Sequence, residues 1–159
     1  MNFVFVKELN QAEIDEIYTI LKDYTKDFFT PDFPDGMRVD MPFQRAFYMR
    51  ENDGIASCIV YTCLDGSIHI TCMATRRDLA GRDYGSRLMT AFTEHVAAYG
   101  IGSIELLTFS PRAKPQYAAT VAFYEKNGFR CVNEYKDLWG EGTVVVKMRK
   151  EIAGNEARV

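Results

Sequence analysis

The sequence lacks an excess of either charge: 19 lysines and arginines stand against 22 aspartates and glutamates, a formal net charge of -3, and the basic residues are scattered rather than gathered into a run. That excludes general nucleic-acid binding by charge alone, so no nucleic-acid partner is expected. Cysteine is scarce. Cys58, Cys63, Cys72 and Cys131 form no CxxC pair and no metal-ligand spacing with the two histidines, so no metal site is expected. Because at least three of the four fall in apolar strand-like runs, they read as reduced core thiols of a cytoplasmic protein. No apolar run reaches transmembrane length, and Met1 to Lys7 lacks the charged start and long apolar middle of a signal peptide, so no membrane partner is expected. Internal repeats and low-complexity tracts are absent too. What is present, 47% hydrophobic residues in a chain of 159, is enough for a single domain with a sizeable core. Its expected extent is 1–152, with 153–159 a frayed tail.

Phe3 to Leu9 reads as a strand, and Asn10 as the cap of a helix from Gln11 to Phe28 whose stripe is Ile14, Ile17, Leu21, Tyr24 and Phe28. The proline- and aspartate-rich stretch Thr30 to Pro42 reads as a long substrate-side loop. Three strands follow, Ala46 to Arg50, Ile55 to Cys63 and Ser67 to Thr75, joined by hairpin signals at Asn52-Asp53-Gly54 and Asp65-Gly66. Tyr84, Leu88, Phe92, Val96 and Tyr99 recur at helical spacing until Gly100 and Gly102. Ser103 to Phe109 is then a strand parallel to Ser67 to Thr75, because a strand, a helix and a strand make a crossover. A helix from Gln116 to Lys126 and two closing strands, Phe129 to Tyr135 and Thr143 to Arg149, complete the chain. The predicted class is α/β (α+β), a mixed, mostly antiparallel sheet of six to seven strands flanked by helices.

The most informative stretch is Thr75 to Met89, where a strand ends in a glycine-punctuated, arginine-rich turn that opens a helix. The first amides of a helix have no partner inside it, and the macrodipole adds about half a positive charge there, so the turn is a candidate anion site. Downstream stands Phe123-Tyr124-Glu125-Lys126-Asn127-Gly128-Phe129.

The order of elements and these two motifs resemble the GNAT superfamily of acyl-CoA-dependent N-acyltransferases. The heptapeptide matches the family's "FYEKxGF" fully. The turn is a degraded match to Q/R-x-x-G-x-G/A: Ala80, Gly81, Arg82, Asp83, Tyr84 and Gly85 stand there, and only Gly85 fits strictly. Backbone donors survive such substitutions. The resemblance therefore implies acetyl-CoA as cosubstrate, with its pyrophosphate on Ala80 to Ser86. Arg76, Arg77, Arg82 and Arg87 are available to offset the charge of Asp83. It also implies pantetheine docking on main-chain groups of Met73 and Thr75. Tyr117 stands where the family often has a pantetheine-binding asparagine.

The implied activity is an N-acetyltransferase, in which a primary amine attacks the thioester directly in a ternary complex. Such chemistry needs a neutral amine, a polarised carbonyl and a proton for the thiolate. Strand alternation places His69, Thr71, Met73 and Thr75 on one face, and His69 falls where the histone acetyltransferase branch carries its glutamate base. His69 is the favoured base, with Glu105 and water as competitors, and His95 reads as structural. Tyr124 corresponds to the family's general acid. Arg112 and Lys114 read as a solvated basic loop in preference to a 3′-phosphate site. Asp23, Asp27, Asp32, Asp35 and Asp40 concentrate acid on the acceptor side, which suits a cationic amine, although turn formation explains them equally. The implied acceptor is an amine of a small molecule, peptide or protein, and a homodimer is compatible with the fold. The competing reading is a weak or inactive acyl-CoA-binding regulatory module, motivated by Ala80, Asp83 and Tyr117.

Overall fold

The computed structural model describes residues 2–152; the expected frayed tail lies outside them. Seven strands and four helices follow one another as β1 (Asn2–Val6), α1 (Gln11–Lys22), α2 (Phe33–Asp40), β2 (Arg45–Glu51), β3 (Gly54–Leu64), β4 (Ser67–Thr75), α3 (Tyr84–Ala97), β5 (Ser103–Phe109), α4 (Ala118–Lys126), β6 (Arg130–Lys136) and β7 (Val144–Glu151). Short 3₁₀ turns occupy Met41–Phe43, Arg77–Leu79 and Pro115–Tyr117. The strands form one sheet in the order β1-β2-β3-β4-β5-β7-β6. The β4–β5 step is parallel, and the β1–β2, β2–β3, β5–β7 and β6–β7 steps are antiparallel. The predicted mixed sheet and its parallel pair are thus observed. Two compact units divide the chain: one takes it through Thr62 together with Thr71–Phe92, the other Cys63–Ile70 together with the chain from Thr93.

In the first unit, α1 starts at a capping box: Glu13 N donates to Asn10 Oδ1 (2.8 Å) and Asn10 N to Glu13 Oε1 (2.9 Å). The buried Glu13 also accepts from the Tyr48 hydroxyl at 2.6 Å. Ile14, Ile17, Ile20 and Leu21 pack with Met37, Met41, Cys58, Val60, Cys72 and Ala74 in the core. The expected helix to Phe28 stops at Lys22. From there the chain winds into turns, with the amides of Asp27, Phe28 and Phe29 all donating to Tyr24 O. The expected loop at Thr30 to Pro42 is largely α2. Pro34 sits in its first turn, where a proline costs no hydrogen bond, and Met37 and Met41 recur at i, i+4 into the core.

The second unit holds the β4–β5 ladder, Ser67–Ile70 against Ser103–Leu106, and the β6–β7 hairpin. The core-thiol expectation holds for Cys58 and Cys72 and fails for Cys63 and Cys131, which are exposed. Cys63 lies in the last residues of β3, which are exposed. Cys72 hydrogen-bonds Cys58, and that bond together with burial pushes the Cys72 thiol well above the usual range, so this thiol is chemically quiet.

Candidate functional site

β4 alternates as its sequence predicts: Ile68, Ile70, Cys72 and Ala74 are buried, while His69, Thr71, Met73 and Thr75 are half-buried on the other face. In the first unit this second face is heavily hydrogen-bonded. Thr71 Oγ1 lies 2.5 Å from Gln44 Oε1 and 3.1 Å from Val60 O. The Thr75 hydroxyl meets the buried Ser57 hydroxyl at 2.8 Å, and its carbonyl accepts from the Tyr24 hydroxyl at 2.6 Å. Gln44, Ser57 and Tyr24 escaped sequence reasoning, because nothing local in the chain says which strand or turn will face β4.

The turn after β4 is built on two left-handed residues, although its side chains depart from the motif. Gly81 has φ 78° and Asp83 φ 68°, so the aspartate holds the left-handed conformation that glycine adopts without cost. Arg87 N donates to Asp83 O at 3.1 Å, which opens α3 at Tyr84. Ala80, Gly81, Arg82 and Asp83 are exposed. The Tyr84 hydroxyl donates to Glu51 Oε1 at 3.1 Å.

Two of the four arginines expected to be available to offset Asp83 are committed to other groups. Arg76 donates to both oxygens of Asp53 (3.0 Å each) and to Asp78 (3.0 and 2.9 Å), and its amide donates to Ala56 O at 2.8 Å. These bonds hold the Asp53 and Asp78 carboxyls below their usual range. Arg77 donates to Asp23 O (3.1 and 2.7 Å) and to Asp27 Oδ2 (2.5 Å), with its guanidinium 4.6 Å from the centre of the Tyr24 ring. Two aspartates of the acidic cluster are also engaged: Asp27 pairs with Arg77, and Asp35 accepts from the Tyr18 hydroxyl at 2.7 Å.

In the second unit His69 stands in register with Glu105 across the parallel ladder. Glu105 lies 3.9 Å from both Lys147 Nζ and Arg149 Nε. Tyr124 is buried, its ring centre 5.3 Å from Phe123 and 5.4 Å from Phe129 in edge-on contacts. The heptapeptide closes α4 on itself: the amides of Asn127 and Phe129 donate to Tyr124 O, and Gly128 takes φ 93°. Tyr117 is buried edge-on against Phe109 at 5.2 Å, and burial raises its phenol to about 12. Phe109 in turn meets Trp139 at 4.9 Å and Lys114 Nζ at 3.9 Å. Arg112 is ion-paired with Glu134. His95 rests 5.3 Å from Tyr99, half-buried, and burial lowers its pKa, as befits a structural histidine.

No cluster of three or more His, Cys, Asp or Glu able to hold a metal exists among the described residues, and none of their helices is long and apolar enough to cross a membrane.

Comparison with known proteins agrees with this arrangement. No curated protein matches the chain by sequence. Among solved structures, the chain superposes on a protein assigned to the GNAT family from Desulfovibrio desulfuricans with a TM-score of 0.81 at 19% identity, over 96% of this chain and 100% of that one. It matches the ribosomal-protein-S18-alanine N-acetyltransferase of Escherichia coli with a TM-score of 0.72 at 15% identity, over 95% and 94% of the two chains. A Bacillus subtilis acetyltransferase in complex with CoA matches with a TM-score of 0.72 at 17% identity, over 94% and 97%. These likenesses establish the fold, and the family model of the acetyltransferase (GNAT) domain matches residues 43–131, which span both motifs. With β4, its turn, α3, β5 and the Phe123–Phe129 segment all inside that match, the chain belongs to the GNAT family of acetyltransferases.

Proposed function

We propose that the protein transfers an acetyl group from acetyl-CoA to a primary amine of a small molecule or a peptide, by direct attack in a ternary complex. The observation that carries this reading is the turn after β4, where Asp83 takes a glycine-like φ of 68° just before α3, a backbone that suits amide contacts to a pyrophosphate. In this reading Ala80, Gly81, Arg82, Asp83, Tyr84, Gly85 and Ser86 wrap the pyrophosphate through their backbone. The amides of Met73 and Thr75 serve pantetheine and the thioester carbonyl; the Thr75 carbonyl is already taken by Tyr24. Tyr117 borders pantetheine through its apolar ring only, being packed against Phe109.

The amine nitrogen attacks the thioester carbon, and the carbon–sulfur bond breaks. The proton leaving nitrogen goes to His69, directly or through water, with Glu105 beside it as the competing base. The thiolate takes its proton from the Tyr124 hydroxyl, a phenol that is an adequate donor at neutral pH. CoA should raise the melting temperature, and acetyl-CoA with a broad panel of primary amines should yield acetylated product and free thiol. Stabilisation by CoA without product from any amine would leave a CoA-binding module instead of an enzyme.

A further inference from the structure

The dipeptide Arg76-Arg77 reaches in two directions from the end of β4. Arg76 grips Asp53 in the β2–β3 hairpin, and Arg77 grips Asp23 O and Asp27 in the segment that joins α1 to α2. The segment also ties itself to β4, through the Tyr24 hydroxyl on Thr75 O at 2.6 Å. Burial raises the Tyr24 phenol above its usual range, which keeps it a proton donor in that bond. Tyr24 to Phe29 is also held by its own turn hydrogen bonds, by edge-on contacts of Tyr24 with Phe28 and Phe29, by stacking of Phe29 on Phe33 at 4.5 Å, and by packing of Tyr24 and Phe29 against the core. One end of the turn that follows is thus fastened to the segment between the helices, and the other end is the amide-lined start of α3.

We propose that Tyr24 and Arg77 are positioning residues that couple the α1–α2 segment to the cofactor turn, so that CoA on the turn orders the segment. The inference rests on the CoA reading above and adds residues that no motif marks. A ligand that fixes the turn fixes the backbone carrying Arg77, so ordering Asp23–Phe29 then loses less conformational freedom. By linkage, whatever orders that segment favours CoA equally. If the segment shapes the acceptor side, donor and acceptor binding are thereby linked without contact between the two ligands.

Amide hydrogen exchange of the full chain with and without CoA tests this. In the wild type, CoA should slow exchange both in residues 80–88 and in 23–29, the latter by about tenfold, within the usual range of coupling between sites. Tyr24→Phe, which removes only the hydroxyl, and Arg77→Gln, a second variant at an exposed side chain, should keep the slowing at 80–88. At 23–29 they should reduce it to about twofold or less. The coupling is overturned if CoA protects 80–88 but not 23–29 in the wild type. It is equally overturned if CoA speeds exchange at 23–29 by drawing Arg77 away, or if both variants respond like the wild type. Protection of neither segment in the wild type would instead remove the CoA reading itself.

Discussion

The turn at residues 80–86 and the segment Phe123–Phe129 carry the two family motifs, and they store their information differently. In the heptapeptide, side chains do the work: Tyr124 sits between Phe123 and Phe129, and Gly128 supplies the backbone reversal that seats Phe129. Tyr124 and Phe129 are buried and Gly128 takes a left-handed backbone, while Glu125 and Lys126 are exposed. The turn needs main-chain amides and two positive φ angles, at Gly81 and Asp83, and an aspartate can supply the second of these. A motif of side chains is therefore easy to read from sequence, whereas a motif of backbone geometry is legible only once the dihedral angles are known.

The largest expected effects test whether the heptapeptide acts through a side chain. Tyr124→Phe keeps the ring packing and removes the hydroxyl proposed as the proton donor, so kcat should fall by about 100-fold or more, with little change in the KM for acetyl-CoA. Steady-state acetylation, followed by thiol release, checks it. His69→Gln should cost a comparable factor of about 100, and Glu105→Gln clearly less, if the histidine is the base. A larger loss in Glu105→Gln would transfer that role to the carboxylate.

A smaller effect concerns stability. An alanine Cβ at Gly128 would stand 3.3 Å from the Lys150 side chain and would force a left-handed φ of 93°. Gly128→Ala should therefore lower unfolding free energy by about 1–2 kcal/mol, read from the urea midpoint. Gly81→Ala, where nothing lies within 4 Å of the added carbon, should bring the φ cost alone.

The sheet was the most legible part of the molecule. Ser67–Thr75 and Ser103–Phe109 have the bounds their patterns predict, because alternation and hairpin turns are local signals. The stretch from Tyr24 to Asp40 was misread for two local reasons. Tyr24 fits a helical stripe by spacing, yet its hydroxyl ends on Thr75 O, 51 residues away, and Pro34 looked like a breaker although it stands in a first turn. The same limit applies to the arginines. Sequence could count four beside the turn, but only tertiary structure assigns Arg76 to Asp53 and Asp78, and Arg77 to Asp23 and Asp27.

That assignment sharpens the last prediction. With Arg76 and Arg77 committed elsewhere, the carboxylate of Asp83 has less positive charge to offset it than the sequence suggested. Arg82 and Arg87 are the remaining arginines of the turn. Asp83→Gly keeps the left-handed backbone and removes the negative charge, so CoA should bind more tightly by about 1 kcal/mol, or about fivefold in Kd at low salt, and less so as salt screens the charge. Asp83→Val removes the same charge but places a β-branched residue at φ 68°, which costs about 1–2 kcal/mol and should weaken or cancel the gain. Calorimetric titration of both variants separates the two contributions. If glycine and valine bind CoA equally well, the backbone conformation is not what the turn conserves. If neither differs from the wild type, the carboxylate points away from the anion, and the departure from the family motif at this position carries no electrostatic consequence.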